Sequence, residues 1–438
     1  MRISKATLAE HCIILQIATF FLYLLLNIYQ IGFGSASPMI LVFSLTIFVI
    51  FVGFNITNSN FSIGIPLLIT IFYILWIFCK LIIDKAGLGM IRSIFIGTSG
   101  GILLFFIIGI QVSICVNYLT MQLTSKKVLS QIFYASVIAT YLLFFLMLGR
   151  VREDLFLLEN INGEYQRVGN FLAMFFIILS KIWIITINMS SEKKLSIYKA
   201  YIFNLTYLSV FIVLLVLSQL IQSNSATALI LGIGTCALFL KFLNFESSSK
   251  YTSFTKFFVS RLIYFVFIVS SSAVIIILLV SISFGINIFH INLFNFGNGG
   301  IPSLDSRLKL LSEHALEQIA YAPWFGAYNI SEIVTGKGGN YPHSLLLSAM
   351  AKLGVFGLML FLSSFFVTLS QRFQVRKRYD QKLHFVSRFY GLAVLLFVFA
   401  LGSMTVDLSW SVYWFALGFI GKNLVINHSD KKFDFGAN

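Results

Sequence analysis

Residues 344–370 read SLLLSAMAKLGVFGLMLFLSSFFVTLS, an apolar run interrupted by one lysine and no acidic residue. The apolar positions are continuous rather than alternating, which does not suit the strand of a barrel. A helix over this stretch is long enough to cross the ~30 Å hydrocarbon layer of a bilayer. In hydrocarbon every backbone amide needs an internal partner, and without dyad alternation only the helix supplies one. Similar runs of roughly 18–25 residues recur near 11–31, 38–56, 61–83, 95–119, 129–148, 171–190, 200–221, 226–244, 262–284, 389–406 and 411–427. The chain is 58% hydrophobic and 11% charged, beyond what a water-soluble core requires. The expectation is an all-α polytopic membrane protein of about twelve transmembrane helices. Residues 1–438 then form a single integral membrane domain.

Charge orients the bundle. Alternate connections carry Lys126 and Lys127, then Lys193, Lys194 and Lys199, then Lys250, Lys256 and Arg261, then Arg372, Arg376, Lys377, Arg378, Lys382 and Arg388, and the tail adds Lys422, Lys431 and Lys432. The intervening connections are poorer in cations, so the positive-inside rule puts both termini in the cytoplasm. The first run follows Arg2 and Lys5 like a signal sequence; its length and the many runs after it indicate a retained first helix. Basic cytoplasmic loops beside anionic lipid account for most of the net charge of +15, and nucleic acid is excluded as a partner. Cys12, Cys79, Cys115 and Cys236 all fall inside apolar runs, which points to buried packing rather than disulfides or a metal site.

Two outer connections stand out. Residues 149–170 mix Arg150, Arg152 and Arg167 with Glu153, Asp154, Glu159 and Glu164. Residues 285–343, between the ninth and tenth spans, form the longest loop. Within it an amphipathic helix is predicted from Asp305, its N-cap, to Pro323. Leu308, Leu311, Ala315 and Ile319 form one face, and Lys309, Glu313, Glu317 and Gln318 the other. Gly336-Lys337-Gly338-Gly339 lacks the spacing, the Ser/Thr and the preceding strand of a phosphate loop. No His/Cys spacing suits zinc, and a metal-free site without cofactor is expected.

The chemistry-bearing residues gather on this outer side. Arg150, Arg152, Arg167 and Arg307 lie near span ends, where a guanidinium binds a diphosphate bidentately or simply pairs with the local carboxylates. His343 opens the helix of 344–370, whose positive end favours a neutral imidazole able to accept a proton; a plain hydrogen-bonded cap is the alternative. Trp324, Tyr321, Tyr328 and Tyr341 cluster in the loop, as sugar-stacking faces or as interfacial anchors. Lys181 and Lys352 fall inside spans, where a lysine costs roughly 2.5–3.5 kcal/mol on insertion scales. Each therefore calls for a partner, with Asp407, Glu164 and Glu159 as candidates.

In order, the outer loop and tenth span read Ser306-Arg307-Leu308, Ala315, Pro323-Trp324-Phe325-Gly326, Pro342-His343-Ser344-Leu345-Leu346 and Gly354-Val355-Phe356-Gly357. This resembles the signature of the bacterial O-antigen ligase and polymerase superfamily, an Arg-started loop helix, Pro-x-x-Gly, then His-Asn/Ser opening a helix with Gly-x-x-Gly. Gln166-Arg167-Val168-Gly169-Asn170 is similar to that family's earlier motif. The chain departs from the pattern at Ser223-Asn224-Ser225-Ala226-Thr227, where an arginine is usual, and at Lys352, where an acid is frequent. The resemblance implies a metal-independent inverting glycosyltransferase of the bacterial inner membrane, its active site periplasmic. The donor is a glycan on undecaprenyl diphosphate, and the acceptor is lipid A-core for a ligase or a second lipid-linked repeat for a polymerase. A chain-length regulator would be a further partner. His343 and Arg307 are then catalytic, Arg167, Arg150 and Arg152 hold the diphosphate, and Trp324 and Tyr341 stack on sugar. Transfer to a protein hydroxyl and a lipid-linked oligosaccharide flippase are the outlying alternatives. A flippase would show repeat-related halves and charges from many helices, which this sequence does not.

Overall fold

Apolar runs become helices because hydrocarbon leaves the backbone no other partner, and the structure follows that rule closely. The computed structural model describes residues 60–97, 101–121, 125–149, 151–152, 157–158, 165–190, 197–221, 223–244, 315–335, 344–373, 381–405, 407–421 and 424–427. Helices run α1 Ile65–Ile83, α2 Leu88–Ile96, α3 Ile102–Met121, α4 Ser125–Leu148, α5 Tyr165–Ser190, α6 Ile197–Leu220 and α7 Asn224–Asn244. They continue with α8 Ala315–Tyr321, α9 Ile330–Thr335, α10 Leu345–Phe373, α11 Gln381–Thr405 and α12 Ser411–Ile420. Two short antiparallel pairs complete the described residues: β1 Asn60–Ile63 with β4 Leu424–Asn427, and β2 Val151–Arg152 with β3 Leu157–Leu158.

Six of these helices, within α1, α4, α5, α6, α7 and α10, are long and apolar enough to cross a membrane, and α3, α11 and α12 contain shorter apolar stretches. The chain is an all-α membrane protein of several passes. The expected spans at 11–31, 38–56 and 262–284 lie outside the described residues. The last expected span is corrected: α12 ends at Ile420 and the chain then turns into β4 instead of continuing as helix to 427. Gly421 follows α12 with non-helical backbone, and β4 takes its hydrogen bonds from β1.

The bundle is organised around α5, which holds an 18-residue window that is wholly buried. Trp183 stacks on Tyr207 of α6 at 3.9 Å between ring centroids, and the Tyr390 hydroxyl of α11 donates to the Ile177 carbonyl at 2.6 Å. A buried Tyr hydroxyl usually finds such a partner, whereas the Trp183 indole N–H is buried without one among the described residues. α3 and α12 cross at Gly109 and Gly418, where an added Cβ would collide with the carbonyl oxygen of Phe415 or of Phe106. Small residues at that crossing let two backbones touch, which is how helices gain packing energy in lipid. α1 leaves Leu68, Phe72, Leu75, Phe78 and Ile82 exposed on one apolar stripe, a face suited to hydrocarbon. Cys79 is exposed on the same helix, unlike the buried Cys115, so the expectation of buried packing fails there.

The first turns of α5, α7, α10 and α12 meet at one end of the bundle. Gly169 of α5 sits against Ser223 and Ala226 of α7, and Asn170 accepts from Trp410 before α12 at 2.7 Å. Gly402, near the end of α11, lies against both Leu345 and Trp410. Lys126 and Lys127, at the start of α4, connect the other ends of α3 and α4.

Candidate functional site

The site is built on a broken helix. The regular course of α10 is interrupted at Gly354, whose φ of 71° and ψ of −174° leave the helical region. A break inside a span frees backbone donors and acceptors, which must be satisfied again. The segment 322–329, after α8, does this. The Val355 amide donates to the Pro323 carbonyl at 2.8 Å, Phe356 to Trp324 at 3.3 Å, and the Ala327 amide to the Ala351 carbonyl at 3.1 Å. Trp76 of α1 donates its indole N–H to the freed Leu353 carbonyl at 3.3 Å.

The two glycine motifs are partners in this junction. Gly326, at φ +64°, lies so close to α10 that a Cβ would collide with the Lys352–Leu353 peptide, and a Cβ on Gly354 would collide with the Trp324 carbonyl. Both positions combine left-handed backbone with no room for a side chain, which is why glycine stands at each. Gly357 completes the set, since a Cβ there would collide with the Leu353 side chain and crowd the Trp76 indole.

Charged groups fasten the same segment from below. Lys80 of α1 pairs with Asp84 at 2.9 Å and donates to the Gly326 carbonyl at 3.0 Å. Asp84 in turn accepts the Tyr328 amide at 2.5 Å. Lys352, just before the break, reaches Asp407 at 2.8 Å in the turn between α11 and α12. Its ammonium also lies 5.3 Å from the centroid of the Tyr328 ring. Side-chain exposures of 13% for Lys352 and 21% for Asp407 make this a mostly buried pair. Burial pushes the Asp407 carboxyl up; the Lys352 charge and hydrogen bond, the Leu408 amide and the Ser348 hydroxyl outweigh it and hold the group below its ordinary value. Burial, reinforced by Asp407, raises the Tyr328 phenol well above its ordinary value, so it stays neutral.

The expected site residues divide into those the structure describes and those it does not. His343, Arg307, Arg150 and Tyr341 lie outside the described residues. Arg152 is described through its backbone, paired with Leu157 in the β2–β3 hairpin. Arg167 is half-buried in the first turn of α5, beside the Gly169–Ser223 contact with α7. Trp324 is 70% exposed on the loop over the break, whereas Tyr328 is buried against Lys352 and offers no face for stacking. Ser344 caps α10, its hydroxyl accepting the Leu347 amide at 3.4 Å, so α10 starts one residue after the cap and His343 immediately precedes it. On α8, Ala315 is buried as expected, but Gln318 is buried too while Leu316 is exposed. The helix packs against α10, and that contact sets its inner face rather than its own amphipathic pattern.

Lys80, Asp84, Asn170 and Trp410 belong to this construction and were not singled out from sequence as site residues. A lysine inside an apolar run with a carboxylate one turn later was the available signal for the first two. The first turns of α5, α7, α10 and α12 lie near one another at this end of the bundle, and helix N-termini carry partial positive charge. Among the described residues no group of three or more His, Cys, Asp or Glu side chains comes together as a metal site. No family model matches the chain, and no curated protein matches its sequence.

Proposed function

We propose that this chain is an inner-membrane glycosyltransferase that moves a glycan from undecaprenyl diphosphate to an acceptor hydroxyl, of the O-antigen ligase type. In this reading there are about twelve spans, both termini are cytoplasmic and the site is periplasmic. The observation that carries it is the mutual packing of Pro323-x-x-Gly326 and Gly354-x-x-Gly357, beside the converging first turns of α5, α7 and α10. Two of the segments that resemble the family signature, Pro323–Gly326 and Gly354–Gly357, are thus neighbours in space among the described residues.

The reaction is a single displacement at the anomeric carbon. The acceptor oxygen bonds to that carbon, the carbon–oxygen bond to the diphosphate breaks, and undecaprenyl diphosphate leaves with the bonding pair. His343 accepts the acceptor's proton as general base. Negative charge grows on the diphosphate, and Arg307 and Arg167, aided by Arg150 or Arg152, neutralise it. Helix N-termini at the site add partial positive charge in the same sense. Trp324 and Tyr341 offer ring faces to the sugar, and lipid A-core is the acceptor.

Purified protein given a lipid-diphosphate-linked oligosaccharide and lipid A-core tests this directly. His343→Ala and Arg307→Ala should each lower transfer by about a hundredfold or more at normal protein level. Arg376→Ala, on the cytoplasmic side, should leave it unchanged, and transfer should persist in EDTA. Full activity in both outer-loop variants removes this site.

A further inference from the structure

The break at Gly354 divides α10 into two helices that share no continuous hydrogen-bond ladder, so residues 345–353 form a short half-helix that needs its own fastening. Specific contacts fasten it. Lys352 binds Asp407 at 2.8 Å, Ser348 hydrogen-bonds the same carboxylate, Ala351 accepts from Ala327, and Leu345 rests on Gly402. Asp407 is itself fixed, because its other oxygen accepts the Leu408 amide at 2.7 Å.

Stability alone does not explain a charged pair here. Replacing a buried ion pair by apolar groups is commonly neutral or stabilising, whereas a lysine within a span is costly to insert. What the pair supplies, together with the Ser348 hydrogen bond to the same carboxylate, is a fixed distance between two elements. We propose that Lys352 is a positioning residue. Through Asp407 it clamps the half-helix 345–353 to the α11–α12 turn, so that the amino end of the half-helix keeps one position against Gly402 of α11, beside Trp410. This deepens the proposed function and rests on it, since that amino end carries the proposed proton acceptor.

Two readouts on the full-length protein in detergent test the clamp. The first needs no activity: Ala349→Cys, at a fully buried position of the half-helix, in a chain whose native cysteines are replaced by alanine, is timed against a water-soluble maleimide. Lys352→Met should speed labelling about tenfold or more, and Lys352→Arg should keep it within about twofold. The charge exchange Lys352→Asp with Asp407→Lys should restore protection. The second readout is transfer, where Lys352→Met should cut kcat about tenfold with the donor KM within about twofold. Should Lys352→Met fail to accumulate, the neutral pair Lys352→Met with Asp407→Asn leaves no orphan charge and carries the same expectation. Unchanged labelling and turnover in the neutral variants overturn the clamp. Lys352-dependent labelling in a wild-type protein that transfers no glycan leaves the clamp standing and removes the functional reading. Transfer by the wild type with labelling indifferent to Lys352 removes the clamp alone.

Discussion

Gly354 and Gly326 bear the most constraint of any residues in the junction, because each has left-handed backbone pressed against the other's segment. An alanine costs about 1–2 kcal/mol for the conformation alone, and about 1–3 kcal/mol more for forced overpacking. Gly354→Ala should therefore lower the detergent melting temperature by several degrees or prevent accumulation, as thermal unfolding would report. Asp407 gives a pH signature. Its carboxyl is held below the ordinary 3.8, so the unfolded chain binds more protons than the folded one in acid. The stabilisation from this group is fully present above that ordinary value and is lost as pH falls through the lower folded value. Wild type should thus lose stability below about pH 4 more steeply than the neutral pair Lys352→Met with Asp407→Asn, measured by the same melts. Lys352 was legible in the sequence as a charge in hydrocarbon that needs a partner, and Asp407 was among the partners expected. Lys80 with Asp84 was not, because a pair one turn apart at a helix end reads as ordinary helix surface.

At the scale of elements, α10 shows where apolar pattern stops being informative. A glycine inside a helix costs only about 1 kcal/mol relative to alanine, so Gly354 in an apolar run gives no stop signal. The break exists because the 322–329 segment supplies hydrogen bonds that the helix gives up, and those partners are distant in sequence. For the same reason Gly-x-x-Gly and Pro-x-x-Gly were readable as motifs but not as a contact. The expected end of the twelfth span at 427 was overturned similarly, since nothing in the composition of 424–427 reveals that β1 will pair with it. Lys80 is the fastening that the loop takes from α1. Lys80→Met should remove its bonds to Asp84 and the Gly326 carbonyl and leave the segment 322–329 more open to protease. Limited digestion followed by mass spectrometry should show cleavage near Trp324 rising several-fold over wild type, with the rest of the chain unchanged.

The whole molecule is a bundle whose two ends differ in chemistry. One end holds the broken helix, the Lys352–Asp407 pair and the first turns of α5, α7, α10 and α12; the other carries the lysine-bearing connection between α3 and α4. The helical class and most described spans were legible because hydrocarbon dictates them from composition alone. The site was legible only as a resemblance, because packing between loop and helix has no local sequence signal. Cysteines placed at positions 166 and 324 should react from one side of the membrane, and at 126 from the other, in an impermeant-reagent assay on intact and lysed cells. The most direct test of the central claim is a surface-glycan gel from a deletion strain complemented with wild type or His343→Ala. The deletion and His343→Ala should both leave long lipid-linked chains that never reach lipid A-core, and wild type should restore transfer. Core bearing a single repeat would instead assign the polymerase reaction, and unchanged surface glycan in the deletion strain would contradict the account.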